Sequence, residues 1–367
     1  MLIIDADAHV LENEHTWDFL SAAEQRYRPS LVRSEHGQRR YYWLIEGKVQ
    51  GFNVLPSEES ELQARTAKMG RIVYTPPETR EVNDVPARLR AMDALGVDIQ
   101  VCHPTLFIER ITDRPATEVA LCRSWNRWMA EAWQQGEGRL RWTCALPLLA
   151  MSEALTELQW CVEHGAVGVF TRAIEGNRLV NDPYFFPLYE AAQKLDVPII
   201  VHVGNANPEN LELLASSGSG YWRFRLPTIG SFHTLVSSGI MHQFPHLRFG
   251  YVEAAAQWLP AVLRDLPRRA QALGRSMEGN ILADNRIWVT CETDDDVPYI
   301  LTYGTGDHLV IGSDYGHADQ STELNALSKL REMPGLSEEA WRKIVDDNAR
   351  ALFGPTVAAQ YRQPVAV

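Results

Sequence analysis

The chain lacks any run of about 18 apolar residues, so no membrane span is expected. It also lacks a long Lys/Arg cluster. Its 35 basic against 47 acidic side chains give a net charge of −12, which argues against a nucleic-acid surface. The five cysteines (Cys102, Cys122, Cys144, Cys161 and Cys291) form no C-x-x-C pair. Their scatter suits small buried thiols in a reducing, cytoplasmic setting and not a disulfide framework. The N-terminus has no basic segment and meets Asp5 and Asp7 at once, unlike a secretory signal. No G-x-G-x-x-G follows the first strand-like run and no G-x-x-x-x-G-K-[ST] occurs, which weakens dinucleotide and P-loop readings.

What is present is a rhythm. With 367 residues and 45% hydrophobic content, the chain can bury a large core without staples. From residue 85 onward, short apolar runs alternate with stretches of helical spacing. Strand-like runs end near Asp7, Pro104, Leu148, Arg172, His202, Glu253, Glu292 and Asp314. Alternation of this kind implies a parallel sheet covered on both faces. Eight units at this length favour a (β/α)8 TIM barrel over an open sheet. Residues 1–353 read as one barrel domain and 354–367 as a loose tail. Residues 30–82 break the rhythm and read as an insertion after strand one, holding a β-hairpin about Glu46-Gly47 and a polar surface excursion over 56–77. Helices are expected over 14–27, 116–135, 152–164 (N-capped by Ser152) and 231–243, with a loop over 205–230. The Trp-rich stripe of 116–135 suits core or a subunit interface.

In such barrels chemistry sits at the C-terminal ends of the strands. Residues two apart on a strand share a face, so Asp7 and His9 project together from the first tip. The other tips add His202, Glu253 and Asp314. Each follows an apolar run whose interior is costly for a charge. Asp7, His9, His202 and Asp314 are therefore candidate ligands of one divalent metal. A His/His/carboxylate set suits Zn²⁺ first, with Mn²⁺ or Fe²⁺ as alternatives.

These residues carry a resemblance. Asp5-x-Asp7-x-His9-Val10-x-Glu12, the strand-five His202, Phe244-Pro245-His246-Leu247-Arg248-Phe249-Gly250-Tyr251-Val252-Glu253 with Gln257-Trp258-Leu259-Pro260, and Gly312-Ser313-Asp314-Tyr315-Gly316-His317-Ala318-Asp319 resemble the amidohydrolase superfamily. The likeness is to the amidohydrolase-2 branch related to aminocarboxymuconate-semialdehyde decarboxylase. It implies a barrel with one divalent metal on Asp7, His9, His202 and Asp314, and a homodimer or larger oligomer. Decarboxylases of that branch carry a catalytic His at the end of strand six, where this chain has Glu253. Binuclear members carry a Lys at the end of strand four, where this chain has Phe170-Thr171-Arg172.

The chemistry expected is metal-activated water acting on a C–N or C–C bond beside a carbonyl of a small organic, possibly aromatic, acid. Asp314 would pass the water's proton to the leaving group, and Glu253 would be a general base or a further ligand. Arg172 could hold a substrate carboxylate, with a structural ion pair as the other reading. His103, His233 and His317 are candidate substrate contacts, and Trp222 beside Tyr221 a candidate cover. The alternative within the fold is non-oxidative decarboxylation. A third reading is a barrel that only binds a ligand.

Overall fold

The computed structural model describes residues 1–34, 40–50, 59–215 and 220–361. Eight parallel strands follow one another around a barrel in sequence order: Ile4–Val10, Ile99–Pro104, Leu140–Ala145, Ala166–Arg172, Ile199–His202, Phe249–Val252, Ile287–Cys291 and Leu309–Ile311. They are numbered one to eight below. Except for Arg172, half-buried at the tip of strand four, every residue of these strands is buried. That explains why the runs are near-continuously apolar and do not alternate.

Strand one is the exception in composition, and its backbone accounts for it. Its register against strand two slips between Asp5 and Ala8, the mark of a bulge. Below the slip Ile4 and Ala6 join Val101, Val167, Ile200, Val252 and Val310 in the apolar cluster filling the lower barrel. Above it Asp7 and His9 converge on the polar upper end. A bulge re-aims side chains in this way, and the alternation rule alone does not foresee it.

The helical layer packs as its sequence dictates. The 21-residue helix Pro115–Gln135 buries Trp125 and Trp128 within the molecule, so these positions of the Trp stripe are core. Trp125 also donates its indole N–H to Glu12 at 2.9 Å. The helix Val85–Leu95 starts at an Asp84 cap and stops at Gly96, whose φ of 69° only glycine adopts cheaply. All five cysteines are buried and free.

Several expectations need correction. Residues 14–27 form two 3-10 turns, Glu14–Trp17 and Gln25–Tyr27, the first opened by a capping box between Asn13 and Thr16. The helix expected from Ser152 begins at Met151, so Ser152 lies inside it and is not its cap. The stretch 205–230 is not a plain loop: it holds a helix Pro208–Ala215, a wide turn Tyr221–Arg225 and the start of the helix Leu226–Ser238. Pro227, at the second position of that last helix, marks its start, earlier than the apolar spacing suggests.

In the insertion, Arg40–Ile45 and Lys48–Gln50 do pair about Glu46-Gly47, and Ser30–Ser34 adds a third antiparallel strand. Arg39, Gly51 and Phe52 of the expected hairpin lie outside the described residues. Within the supposed polar excursion Glu59–Met69 is an α-helix, built of strong helix formers with little apolar face. The tail is not loose through residue 361. Val357 is fully buried beneath the barrel, and Tyr361 donates to Asp98 at 2.7 Å.

Candidate metal centre

At the top of the barrel the side chains from strands one, five, six and eight point at one place. His9 Nε2 and His202 Nε2 are 2.9 Å apart. Asp7 Oδ1 lies 3.7 Å from the first and 3.6 Å from the second. Asp314 Oδ1 is 3.7 Å from His9 Nε2, and Glu253 Oε2 is 3.1 Å from His202 Nε2 and 3.8 Å from His9 Nε2. All five residues are buried.

The hydrogen-bond partners decide what these atoms are. His202 Nδ1 lies 3.0 Å from the carbonyl of Val203, an acceptor only, so that nitrogen carries the proton. Thr105 Oγ1 spends its hydrogen on the Val10 carbonyl at 2.9 Å. It therefore accepts from His9 Nδ1 at 3.3 Å. Both Nε2 atoms are then bare lone pairs facing each other. Two such acceptors at 2.9 Å repel unless a cation stands against both. Two donors about 2.1 Å from one ion and at about a right angle sit about 3 Å apart. Asp7 Oδ1 and Glu253 Oε2 are buried with no hydrogen-bond partner, and Asp314 Oδ1 has the His317 ring beside it. Orphaned buried acceptors are rare and costly, and a metal ion together with the water it holds would satisfy them. The donor chemistry thus fits a divalent cation, with Asp7, His9 and His202 as one compact ligand group and Glu253 and Asp314 adjoining it.

Electrostatics say the same. Burial, and then the neighbouring Asp314, push the Glu253 carboxyl well above its ordinary range. Burial, and then His317, push His9 well below the usual imidazole range. Burial works against ionisation of Asp7 too, but His202 beside it brings that carboxyl below its ordinary value. Glu253 and Asp314, both raised by burial, shed charge when no cation is near while Asp7 keeps its own, a pattern that suits a cation site. Both Glu253 (φ 62°) and Asp314 (φ 52°) sit in the left-handed region, where a non-glycine residue stores about 1–3 kcal/mol of strain.

The remaining candidates separate. His317 joins the site: its Nδ1 is 2.8 Å from Asp314 Oδ1, its Nε2 is 3.0 Å from Thr105 Oγ1, and its ring stacks on His9 with centroids 3.8 Å apart. His103 lies just beneath, 3.9 Å from Asp7 Oδ1. Burial brings it down to about 4, so it is neutral, donating Nε2–H to the Ala6 carbonyl and accepting from Thr143. It supports Asp7 from below and does not face a substrate.

Arg172 is a correction. Its Nε and Nη2 bind Glu175, and its Nη1 donates to the Phe107 and Glu109 carbonyls, both at 3.0 Å. A guanidinium so occupied ties strand four to neighbouring loops and has no fork left for a substrate carboxylate. His233 is the second correction. It lies on the outer helix Leu226–Ser238, 3.5 Å from Asp265 of the next helix, because helical spacing turns it away from the strand tips.

A cleft of about 1050 Å³ opens above Glu253. Met69 of the insertion lines it together with Tyr221 and Phe224, and Arg225 pairs with Glu292 at 2.8 Å on its wall. Tyr221 and Phe224 line the cleft, whereas Trp222 between them is 56% exposed and does not. Thr105 is the residue that sequence reasoning missed. Its only signal was its place immediately after the strand-two tip at Pro104.

The chain matches the amidohydrolase family over residues 4–354. It belongs to that family. Among curated amidohydrolase-family relatives, gamma-resorcylate decarboxylase of Rhizobium sp. is 30% identical over 172 residues, 44% of this chain and 52% of that enzyme. The 2-keto-4-carboxy-3-hexenedioate hydratase of Sphingobium sp. is 24% identical over 217 residues, 54% of this chain and 61% of that enzyme. The matched stretch thus spans little more than half the length of these relatives. Among solved structures, an amidohydrolase of Mycobacterium avium subsp. paratuberculosis superposes with a TM-score of 0.72 at 19% identity, over 96% of this chain and 99% of that one. The 5-carboxyvanillate decarboxylase of Novosphingobium aromaticivorans, complexed with manganese, gives 0.68 at 18% identity, over 96% of each chain. The curated relatives of this stretch thus include both a decarboxylase and a hydratase. Among the described residues no helix is long and apolar enough to cross a membrane.

Proposed function

We propose that this enzyme is a hydrolase that uses one divalent ion, held by Asp7, His9, His202 and Asp314, to direct water at a C–N or C–C bond beside a carbonyl. The observation that carries the reading is the pair of bare Nε2 atoms at 2.9 Å among three buried carboxylates, two of them with an unpartnered oxygen. When bound, the ion would supply Lewis acidity, lowering the pKa of a water it holds and polarising the carbonyl. Zn²⁺ and Mn²⁺ both suit the donors, and the manganese of the carboxyvanillate decarboxylase favours trying Mn²⁺ first.

Glu253 supports hydrolysis over decarboxylation. It sits at the ligand ring with Oε2 free, so it takes the proton of the attacking water. It also adds a third carboxylate. Asp314 and His317, 2.8 Å apart, hold a proton between them and deliver it to the leaving nitrogen or carbon. Tyr221, Phe224 and Met69 pack against the apolar part of the substrate.

Decarboxylation of an aromatic or enoic acid is the second reading, favoured by the gamma-resorcylate decarboxylase relatives. The experiment is a product assay with Mn²⁺- or Zn²⁺-reconstituted enzyme in ¹⁸O-water, on a panel of aromatic and enoic acids and their amides and β-diketones. Label in a product carboxylate without CO₂ release supports hydrolysis. CO₂ release from an acid without label replaces it with decarboxylation.

A further inference from the structure

Strands one and eight stand at the two ends of the barrel's hydrogen-bonded order. Two backbone bonds cross this seam near its top, from Asp314 N–H to the Asp7 carbonyl at 2.8 Å and from His9 N–H to the Tyr315 carbonyl at 2.6 Å. The approach is so close that a Cβ on Gly312 would stand 2.1 Å from the Cβ of Asp7.

One side chain knits the seam. Asp5 is fully buried, and four donors converge on its carboxylate. Oδ1 accepts the Ser313 backbone N–H at 2.9 Å and the Asp7 N–H at 3.3 Å. Oδ2 accepts the Ser313 hydroxyl at 2.5 Å and Gln100 Nε2 at 2.9 Å. The Ser313 hydroxyl oxygen in turn accepts the Tyr315 N–H at 3.2 Å, so the serine straddles Asp314 and holds it in its left-handed turn. Gln100 passes the connection on: its Oε1 accepts Arg88 Nε at 2.7 Å, and Arg88 donates to the His9 carbonyl at 3.3 Å.

We propose that Asp5 is the positioning residue of the metal centre, closing the seam between strands one and eight so that Asp7, His9 and Asp314 face one ion. It holds the Asp7 N–H and the N–H of Ser313 beside Asp314 directly, reaches the His9 carbonyl through Gln100 and Arg88, and is itself no ligand, since its oxygens are occupied by donors. The inference rests on the metal reading above. Partners that fix ligand geometry typically control affinity by about 10- to 100-fold.

The test separates positioning from bulk stability. Wild type, Asp5→Asn and Ser313→Ala are compared with Asp346→Asn, a buried carboxylate at the other end of the barrel that accepts the Leu2 N–H at 2.9 Å. For each full-length protein, stripped of metal, the Mn²⁺ dissociation constant is measured by chelator competition and the melting temperature by calorimetry. The expected result is Mn²⁺ binding weakened about 10- to 100-fold in Asp5→Asn and several-fold in Ser313→Ala, and unchanged in Asp346→Asn although all three melt lower. Ser313→Ala carries the test if Asp5→Asn does not fold. Wild-type binding with both seam variants within twofold of it, or equal weakening in Asp346→Asn, overturns the positioning role alone. No Mn²⁺ or Zn²⁺ binding by wild type overturns the metal centre and this inference with it.

Discussion

At its lower end the barrel is filled by Ile4, Ala6, Ile99, Val101, Val167, Ile200, Val252 and Val310, and closed by Leu352, Phe353 and Val357 of the C-terminal segment. At its upper end, on the same strands, stand Asp7, His9, His202, Glu253 and Asp314, with carboxylate oxygens that have no partner and backbone in the left-handed region. The lower end is what a stable core looks like, apolar and close-packed, with Arg141 held at its margin by the Val357 carbonyl. The upper end breaks each of those rules, and proteins break them where function repays the cost. One scaffold thus carries a half that supplies stability and a half that consumes it.

That division can be tested from both sides. The largest effect is expected at the top. His202→Ala should abolish metal retention and lower kcat/KM by at least about 10³, some 4 kcal/mol of transition-state stabilisation, while the protein stays folded. Glu253→Gln keeps volume and removes the charge. It should retain metal and lose about 10²- to 10³-fold in kcat, and intact activity with Gln at this position would remove Glu253 from the chemistry. At the bottom, Leu352→Ala opens a cavity and should cost about 2–5 kcal/mol in denaturant unfolding with metal affinity unchanged. A fall in metal affinity there would show that the two ends are not independent.

The pH dependence sharpens the contrast. Glu253 is raised in the metal-free fold by burial and by Asp314. A carboxyl with a raised folded pKa stabilises the metal-free protein fully below its unfolded value, and that contribution is lost as pH rises toward the folded value. A divalent ion held beside it favours the ionised form and displaces the proton. Metal affinity and the gain in melting temperature on adding metal should therefore both grow with pH above about 4. A metal-induced gain that is flat or falls with pH would contradict the protonated site. The smallest effect is expected at Trp222, more than half exposed and outside the cleft: Trp222→Ala should change stability by less than about 0.5 kcal/mol and leave KM unaltered, while Tyr221→Ala raises KM.

Sequence reading did well where one residue type has one physical use. The eight buried runs announced the barrel, and polar residues at the ends of such runs were unlikely unless they met. It did poorly where the outcome depends on packing between distant segments. Arg172 ends a strand as a substrate clamp would, but Glu175, three residues later, captures it. His233 has a metal-type side chain, but its helical phase faces Asp265. The bulge in strand one and the hub at Thr105 leave no local pattern, because both arise from how strand two lies beside strand one. The Glu59–Met69 helix was hidden by its polarity, since a helix with little apolar face reads as a loop.

The central claim is that buried donors from strands one, five, six and eight exist to hold a cation. Metal analysis of purified wild type beside His202→Ala tests it most directly. About one equivalent of a divalent transition metal is expected in wild type and almost none in the variant. A wild-type protein that holds no metal, even after reconstitution with Mn²⁺ or Zn²⁺, would contradict it.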